Sequence, residues 1–159
     1  MMDANFVRRY AHPMGANAKL YDRDFYAWTR EQAELLRAGR FAEADLDNIV
    51  EEIESMGRSE KRELVSRLAV LLTHLLKWRY QPAGRGSSWR ASVIVQRGRL
   101  ADHLDDNPSL KPRIPEALHR AYRDAVVVAG DETKLGEAAF PQICPWSFDE
   151  ILNPDFWPQ

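Results

Sequence analysis

The chain has 159 residues, of which 45% are hydrophobic and 29% are charged, and its 22 basic and 24 acidic side chains give a formal net charge of −2. This composition indicates a globular protein of one ordinary domain and excludes a disordered chain. The near-neutral charge argues against a strongly basic protein that wraps nucleic acid. The longest strongly apolar run, residues 68–72, is far too short to span a bilayer.

Two further features favour a cytoplasmic location. Arg8 and Arg9 are followed by aromatic and polar residues and a proline, whereas an export signal has an apolar core at this point. The single cysteine, Cys144, cannot form an internal disulfide, and it is expected to behave as a small buried apolar residue. We therefore expect a cytoplasmic protein with no membrane partner.

The N-terminal part of the chain is predicted to be an irregular lead-in followed by a helix. Residues 1–19 show no hydrophobic period, and residues 20–158 are predicted to form a single helical domain. The first helix is expected to begin near Asp22 and to end at Gly39, which suits a helix C-terminus. Its apolar face consists of Tyr21, Phe25, Trp28, Gln32, Leu35 and Leu36.

The middle of the chain predicts either two helices or one long kinked helix. A second helix is expected over residues 45–56 and a third over residues 59–80, with Gly57 between them as a stop or a weak point. Pro82 ends the third helix. The predicted buried face of the second helix consists of Leu46, Ile49, Val50, Ile53 and Met56. That of the third consists of Leu64, Val65, Leu68, Leu71, Leu72, Leu75 and Leu76.

A fourth helix is predicted over residues 89–105, with Ser87 or Ser88 as its N-cap. A fifth runs from Pro115 to Ala129 and is closed by Gly130. The expected buried face of the fourth helix consists of Trp89, Val93, Ile94, Leu100 and Leu104.

The C-terminal segment is rich in proline and aromatic residues, and one short helix is predicted in it. Ser147 and Glu150 have the spacing of a capping box at the start of a helix over residues 147–152. No run of alternating apolar and polar residues indicates a strand. The fold predicted from these elements is an all-α bundle of about five main helices with an irregular C-terminal segment.

Ten short motifs follow one another in order along the chain. They are Tyr21-x-x-Asp24-Phe25-x-x-Trp28, Asp45-x-Asp47, Glu51-Glu52-Ile53, His74-Leu75-Leu76-Lys77-Trp78, Gln81-Pro82, Ser88-Trp89-Arg90, Gln96-Arg97, Pro108-Ser109-Leu110, Phe140-Pro141 and Cys144-Pro145. With this series the chain resembles, over roughly residues 20–158, a bacterial family known as the twenty-ninth domain of unknown function. The resemblance implies an all-helical single domain, and it implies no activity.

Charge is segregated along the sequence. Residues 43–54 contain six acidic and no basic side chains, and residues 77–101 contain six basic and no acidic ones. One interpretation is that the two segments face each other within the bundle or across a dimer interface. The other is that the basic segment binds anions or nucleic acid, because cations among aromatic rings suit single strands. The candidate binding residues are Lys77, Arg85, Arg90 and Arg97.

Arg67 and His74 form the candidate catalytic pair. They lie one heptad apart on the polar side of the third helix, a spacing compatible with the loose motif of metal-independent ribonucleases of the HEPN class. In such an enzyme the histidine transfers a proton and the arginine stabilises the phosphate. The alternative is a boundary histidine hydrogen-bonded to Glu52 or Asp45.

The sequence predicts no metal site and no cofactor. Glu116 and His119 have the spacing found in di-iron bundles, but such a site needs a second pair and two more glutamates. The leading hypothesis is therefore a non-catalytic protein-interaction or self-associating module, which binds a second copy or another protein. The alternative is a nucleic-acid-associated protein, in one version a metal-independent ribonuclease that uses Arg67 and His74.

Overall fold

The computed structural model describes the backbone of residues 16–159 and the side chains from Leu20 onward. Most of the predicted lead-in therefore lies outside the described residues. The described part is helical and contains no strand, which confirms the all-α fold. Its six helices are α1 (Ala16–Arg23), α2 (Phe25–Arg37), α3 (Leu46–Tyr80), α4 (Ser87–Asp106), α5 (Ile114–Thr133) and α6 (Phe148–Leu152).

The chain divides into two compact units, with the boundary between Gly57 and Arg58. In the first unit, the helix predicted to begin near Asp22 is instead two helices. The Asp24 carboxylate accepts the backbone N–H of Ala27 at 2.9 Å, so Asp24 is the N-cap of α2 and separates it from α1. α1 begins at Ala16, inside the predicted lead-in, because a short helix does not need a complete apolar period.

Asp45 organises the turn between α2 and α3. Its carboxylate accepts the indole N–H of Trp28 at 3.3 Å and the side-chain amide of Asn48 at 2.8 Å. Its backbone N–H donates to the side-chain carbonyl of Gln32 at 2.8 Å. The Tyr21 hydroxyl donates to the Glu52 carboxylate farther along α3. These contacts lie on a polar side of the first part of α3. α1 and α2 therefore cover this polar side.

The predicted buried face of the second helix is therefore wrong at three of its five positions. Val50, Ile53 and Met56 retain 54%, 63% and 68% of their accessible surface. The apolar period is present, but the contacts of the first unit use the side that carries Asn48 and Glu52. Gly57 does not end the helix, and α3 runs as one helix of 35 residues.

The core of the second unit is built on the leucines of α3, as predicted for the third helix. Six of them are fully buried, and α5 contributes alanines that are also buried, so the two helices can approach closely. The leucines are Leu64, Leu68, Leu71, Leu72, Leu75 and Leu76, and the alanines are Ala117, Ala121, Ala125 and Ala129.

α4 differs from its prediction at its start and on one side. Gly86 is the N-cap, and it offers no side-chain oxygen, so neither predicted serine cap is present. Ile94 is 49% exposed, whereas the predicted core residues Val93, Leu100 and Leu104 are buried. The inward side includes a charged residue, Arg97, which the apolar pattern did not predict.

α5 continues past its predicted end at Ala129. Gly130 is buried inside the helix, and a Cβ there would lie 3.0 Å from backbone atoms of Gly136 and Glu137. The glycine thus permits a close backbone approach, and the helix ends at Thr133, followed by Lys134 in a left-handed conformation. The short C-terminal helix α6 is confirmed together with its Ser147–Glu150 capping box.

We expect Gly130→Ala to destabilise the protein by about 1–2 kcal/mol, because overpacking against the main chain outweighs the higher helix propensity of alanine. The matched control is Gly57→Ala, since a Cβ at Gly57 meets no atom of the described chain within 4 Å. That control is expected to stabilise by about 0.5–1 kcal/mol. Urea denaturation followed by circular dichroism measures both. Equal stabilisation by the two alanines would contradict the close approach at Gly130.

Candidate functional site

Arg97, one of the predicted anion-binding residues, is buried and bonded to the main chain of the C-terminal segment. Its guanidinium donates to the carbonyl oxygens of Ile151 at 2.8 Å, Pro154 at 3.3 Å and Phe156 at 2.6 Å. Only 6% of the residue is exposed, and this burial lowers the pKa of Arg97 below its ordinary value. Through these contacts the Arg97 side chain stabilises the C-terminal segment.

These three carbonyls lie in the last turn of α6 or beyond it, where no further helical N–H follows. A helix of five residues leaves its last carbonyl groups without helical partners, and the chain beyond it is not helical. The planar guanidinium offers several N–H groups at fixed angles, so one side chain can satisfy three carbonyls. The ring of Trp157 lies 5.3 Å from the Arg97 guanidinium and 4.6 Å from the ring of Trp78.

The side chain of Lys77 also has its partners within the protein. Its ammonium group forms an ion pair with Glu132 of α5 at 2.5 Å, and only 8% of the residue is exposed. The same group lies 4.5 Å from the centre of the Trp89 ring. The tip of that ring lies so close to Gly84 that a Cβ there would clash with it.

The other two predicted basic residues are more accessible. Arg85 donates to the carbonyl oxygen of Trp78 at 2.7 Å, and its guanidinium lies 5.4 Å from the ring of the same residue. Arg90 is exposed and lies 6.0 Å from the Trp157 ring. The structure therefore gathers all four basic residues near aromatic rings in the second unit, but it buries two of them.

The candidate pair of Arg67 and His74 lies on one side of α3, and each member bonds within its own helix. Arg67 forms an ion pair with Glu63 at 2.5 Å, one turn earlier. The Nδ1 atom of His74 lies 2.8 Å from the carbonyl oxygen of Val70, so Nδ1 carries the hydrogen. The predicted hydrogen bond to Glu52 or Asp45 is replaced by this local contact. In neutral His74 the Nε2 atom is then the acceptor.

The remaining titratable candidates have structural partners. Glu116 accepts a hydrogen bond from Lys61 at 3.0 Å, and this contact lowers the pKa of the glutamate. Burial raises the pKa of the Cys144 thiol, which disfavours the nucleophilic thiolate. Between residues 20 and 159, no three His, Cys, Asp or Glu side chains cluster as metal ligands would. Within the described helices, none is long and apolar enough to cross a membrane.

The first unit presents an apolar surface with an acidic border. We call Val50, Ile53 and Met56 the α3 face, since they recur on one side of the exposed first part of α3. The adjoining side carries Asp47 and Glu51. The apolar period of the sequence includes these three residues, but it predicted them to be buried, whereas they are exposed.

Comparison with protein families identifies the chain. The family described as Domain of unknown function DUF29 matches residues 20–157, so the chain belongs to this family, as the sequence motifs indicated. A search of curated proteins finds no match. A search of solved structures finds no match either. The family assignment fits the all-helical fold and carries no activity.

Replacing Arg97 with methionine is expected to destabilise the protein by about 2–4 kcal/mol, because the buried carbonyl oxygen of Ile151 and the half-buried ones of Pro154 and Phe156 lose their donor. Hydrogen exchange should accelerate most in residues 151–157. Arg123→Met, on the exposed side of α5, is the matched control and is expected to stay within about 0.5 kcal/mol of the parent. Thermal unfolding and hydrogen exchange measure these effects. Similar losses for both variants would show that the buried contacts of Arg97 contribute little.

Proposed function

We propose that this member of the DUF29 family is a non-catalytic protein-interaction module that binds its partner through the α3 face. The observation that carries the proposal is the exposure of Val50, Ile53 and Met56, each of which keeps more than half of its surface accessible. Contiguous apolar groups on a soluble protein are typical of interaction sites. Burial of one such side chain on binding contributes up to about 1.5–3 kcal/mol.

The charge around the α3 face indicates the chemistry of the partner. Residues 43–54 carry six acidic and no basic side chains; Glu43, Asp45 and Glu52 already have partners within the first unit, and Asp47 is exposed beside the α3 face. A partner with an apolar surface edged by lysine or arginine would match both the face and its border. Electrostatic attraction of this kind accelerates association and selects against acidic partners.

The contacts of Arg67, a candidate catalytic residue, and of two candidate anion-binding residues, Lys77 and Arg97, support a non-catalytic role. Arg67 is paired with Glu63, and Lys77 is paired with Glu132. Arg97 donates to three carbonyl oxygens. These cations stabilise the fold, which leaves fewer of them for a phosphate ligand. A nucleic-acid-associated protein with His74 as a catalytic base remains the alternative that experiment must separate.

The proposal includes a bacterial cytoplasmic location. The family that the chain resembles is bacterial. The single thiol, that of Cys144, forms no disulfide, which is typical of proteins from reducing compartments.

A defined peptide tests the α3 face. We expect a labelled helical peptide with a leucine face edged by lysines to bind with micromolar affinity, and added salt to weaken the binding. A matched peptide edged by glutamates should bind at least tenfold more weakly. Serine at positions 50, 53 and 56 together should abolish binding of the lysine peptide. Fluorescence anisotropy provides the readout.

The control variant carries serine at Val127 and Val128, which are exposed on α5 in the second unit. It should bind the lysine peptide as the parent does. Equal binding of both peptides, or unchanged binding after substitution of the α3 face, would contradict the proposal.

The catalytic alternative is tested with end-labelled mixed RNA in EDTA at low salt. We expect neither cleavage on denaturing gels nor a stable shift on native gels at micromolar protein. Cleavage that disappears in His74→Ala would favour the ribonuclease. A salt-sensitive shift that weakens in Arg85→Ala and Arg90→Ala would favour nucleic-acid binding.

A further inference from the structure

The α3 face ends in a sulfur atom. Met56 is the last of its three residues and the most exposed, with 68% of its surface accessible. It is the only methionine among residues 16–159, since Met1, Met2 and Met14 precede the described part of the chain. The unbranched, polarizable thioether suits an apolar contact surface, because it adapts its shape to a partner. Met56 is therefore a reactive group within the proposed docking surface.

The surroundings of Met56 leave its thioether open to small molecules. Ile53, its neighbour on the face, lies about one helical turn earlier and keeps 63% of its surface accessible. Gly57, the next residue, has no side chain, and a Cβ there would meet no atom of the described chain within 4 Å. An oxidant of the size of hydrogen peroxide can therefore reach the sulfur without any opening of the helix.

Oxidation of a thioether by a peroxide needs no catalytic residue. A lone pair of the sulfur attacks one peroxide oxygen, the O–O bond breaks as the S–O bond forms, and the second oxygen leaves as water with the proton of the first. The sulfur gives up two electrons, which reduce the peroxide, and the product is methionine sulfoxide. Methionine sulfoxide reductases reverse the reaction. In that step two thiols become a disulfide, and the oxygen leaves as water.

The other sulfur atom among the described residues is less available. Cys144 is partly buried, and its thiol donates to the carbonyl oxygen of Trp146 at 3.4 Å. Burial raises the pKa of the Cys144 thiol, which disfavours the thiolate that peroxides oxidise. Between these two sulfur atoms, a mild oxidant therefore meets Met56 first.

We propose that Met56 is a site of reversible oxidation by peroxides, and that its sulfoxide weakens partner binding at the α3 face. The effect on binding rests on the proposed function of this face, whereas the oxidation of Met56 does not. The sulfoxide replaces a flexible apolar group with a polar one. Burying its oxygen against the leucines of a partner helix removes water from that oxygen and supplies no donor, so binding becomes less favourable.

Peptide mass mapping of the full chain after hydrogen peroxide treatment tests the oxidation site. We expect Met56 to gain one oxygen at a rate within about threefold of that of N-acetylmethionine amide, because exposure governs this reaction. A saturating amount of the lysine-edged peptide, which contains no sulfur, should slow the oxidation about fivefold or more by covering the thioether. The peptide edged by glutamates should leave the rate unchanged.

Fluorescence anisotropy then measures the effect on binding. We expect the oxidised chain to bind the lysine peptide about tenfold more weakly, and a methionine sulfoxide reductase to restore the binding. Met56→Leu is the matched control, because it keeps a similar apolar volume and removes the reactive sulfur. It retains Met1, Met2, Met14 and Cys144, so it also controls for their oxidation. This variant should bind the peptide as the parent does, before and after peroxide.

Three results would overturn the inference. The first is oxidation of Met56 about tenfold or more slowly than that of N-acetylmethionine amide. The second is bound lysine peptide that leaves the oxidation rate of Met56 unchanged. The third is a fully oxidised Met56 that leaves the affinity for this peptide unchanged. Failure of the untreated chain to bind the peptide would instead contradict the proposed function, and the mass measurement would still decide whether Met56 is the oxidation site.

Discussion

The guanidinium of Arg97 holds the C-terminal segment against α4 through three main-chain carbonyl oxygens. Its burial among apolar groups is tolerated because the donors find acceptors at 2.6–3.3 Å. Ile151 and Trp146, which the C-terminal segment contributes to the core, are buried in the same region. The packing of this unit therefore depends on a polar contact that satisfies otherwise unpaired carbonyl groups.

This use of cations within the fold bears on function. Lys77 and Arg97 belong to the basic segment, but Glu132 and main-chain carbonyls already occupy them. The apolar α3 face is the surface that we propose for partner binding. This face has the apolar chemistry of a helix-packing surface rather than the convergent polar groups of a catalytic site. These contacts support the proposal of a module that works by binding.

Much of the fold could be predicted from the sequence, because a strong apolar period identifies a helix and its buried side. The leucines of α3 and the Ser147 capping box are examples. The side of α3 that the first unit covers could not be predicted, because Asp45 and Glu52 make its contacts through polar side chains. The buried position of Arg97 was not predicted, because a charged side chain is ordinarily expected to be exposed.

We expect the buried side chains of Lys77 and Arg97 to serve the fold and not an anionic ligand. Nitrogen-15 NMR of the arginine Nε–H groups measures this directly, because a buried, hydrogen-bonded group exchanges slowly with water. We expect a slowly exchanging Arg97 resonance that does not shift when a single-stranded oligonucleotide is added. Exchange at the rate of a free arginine, or a shift that saturates with the oligonucleotide, would contradict it.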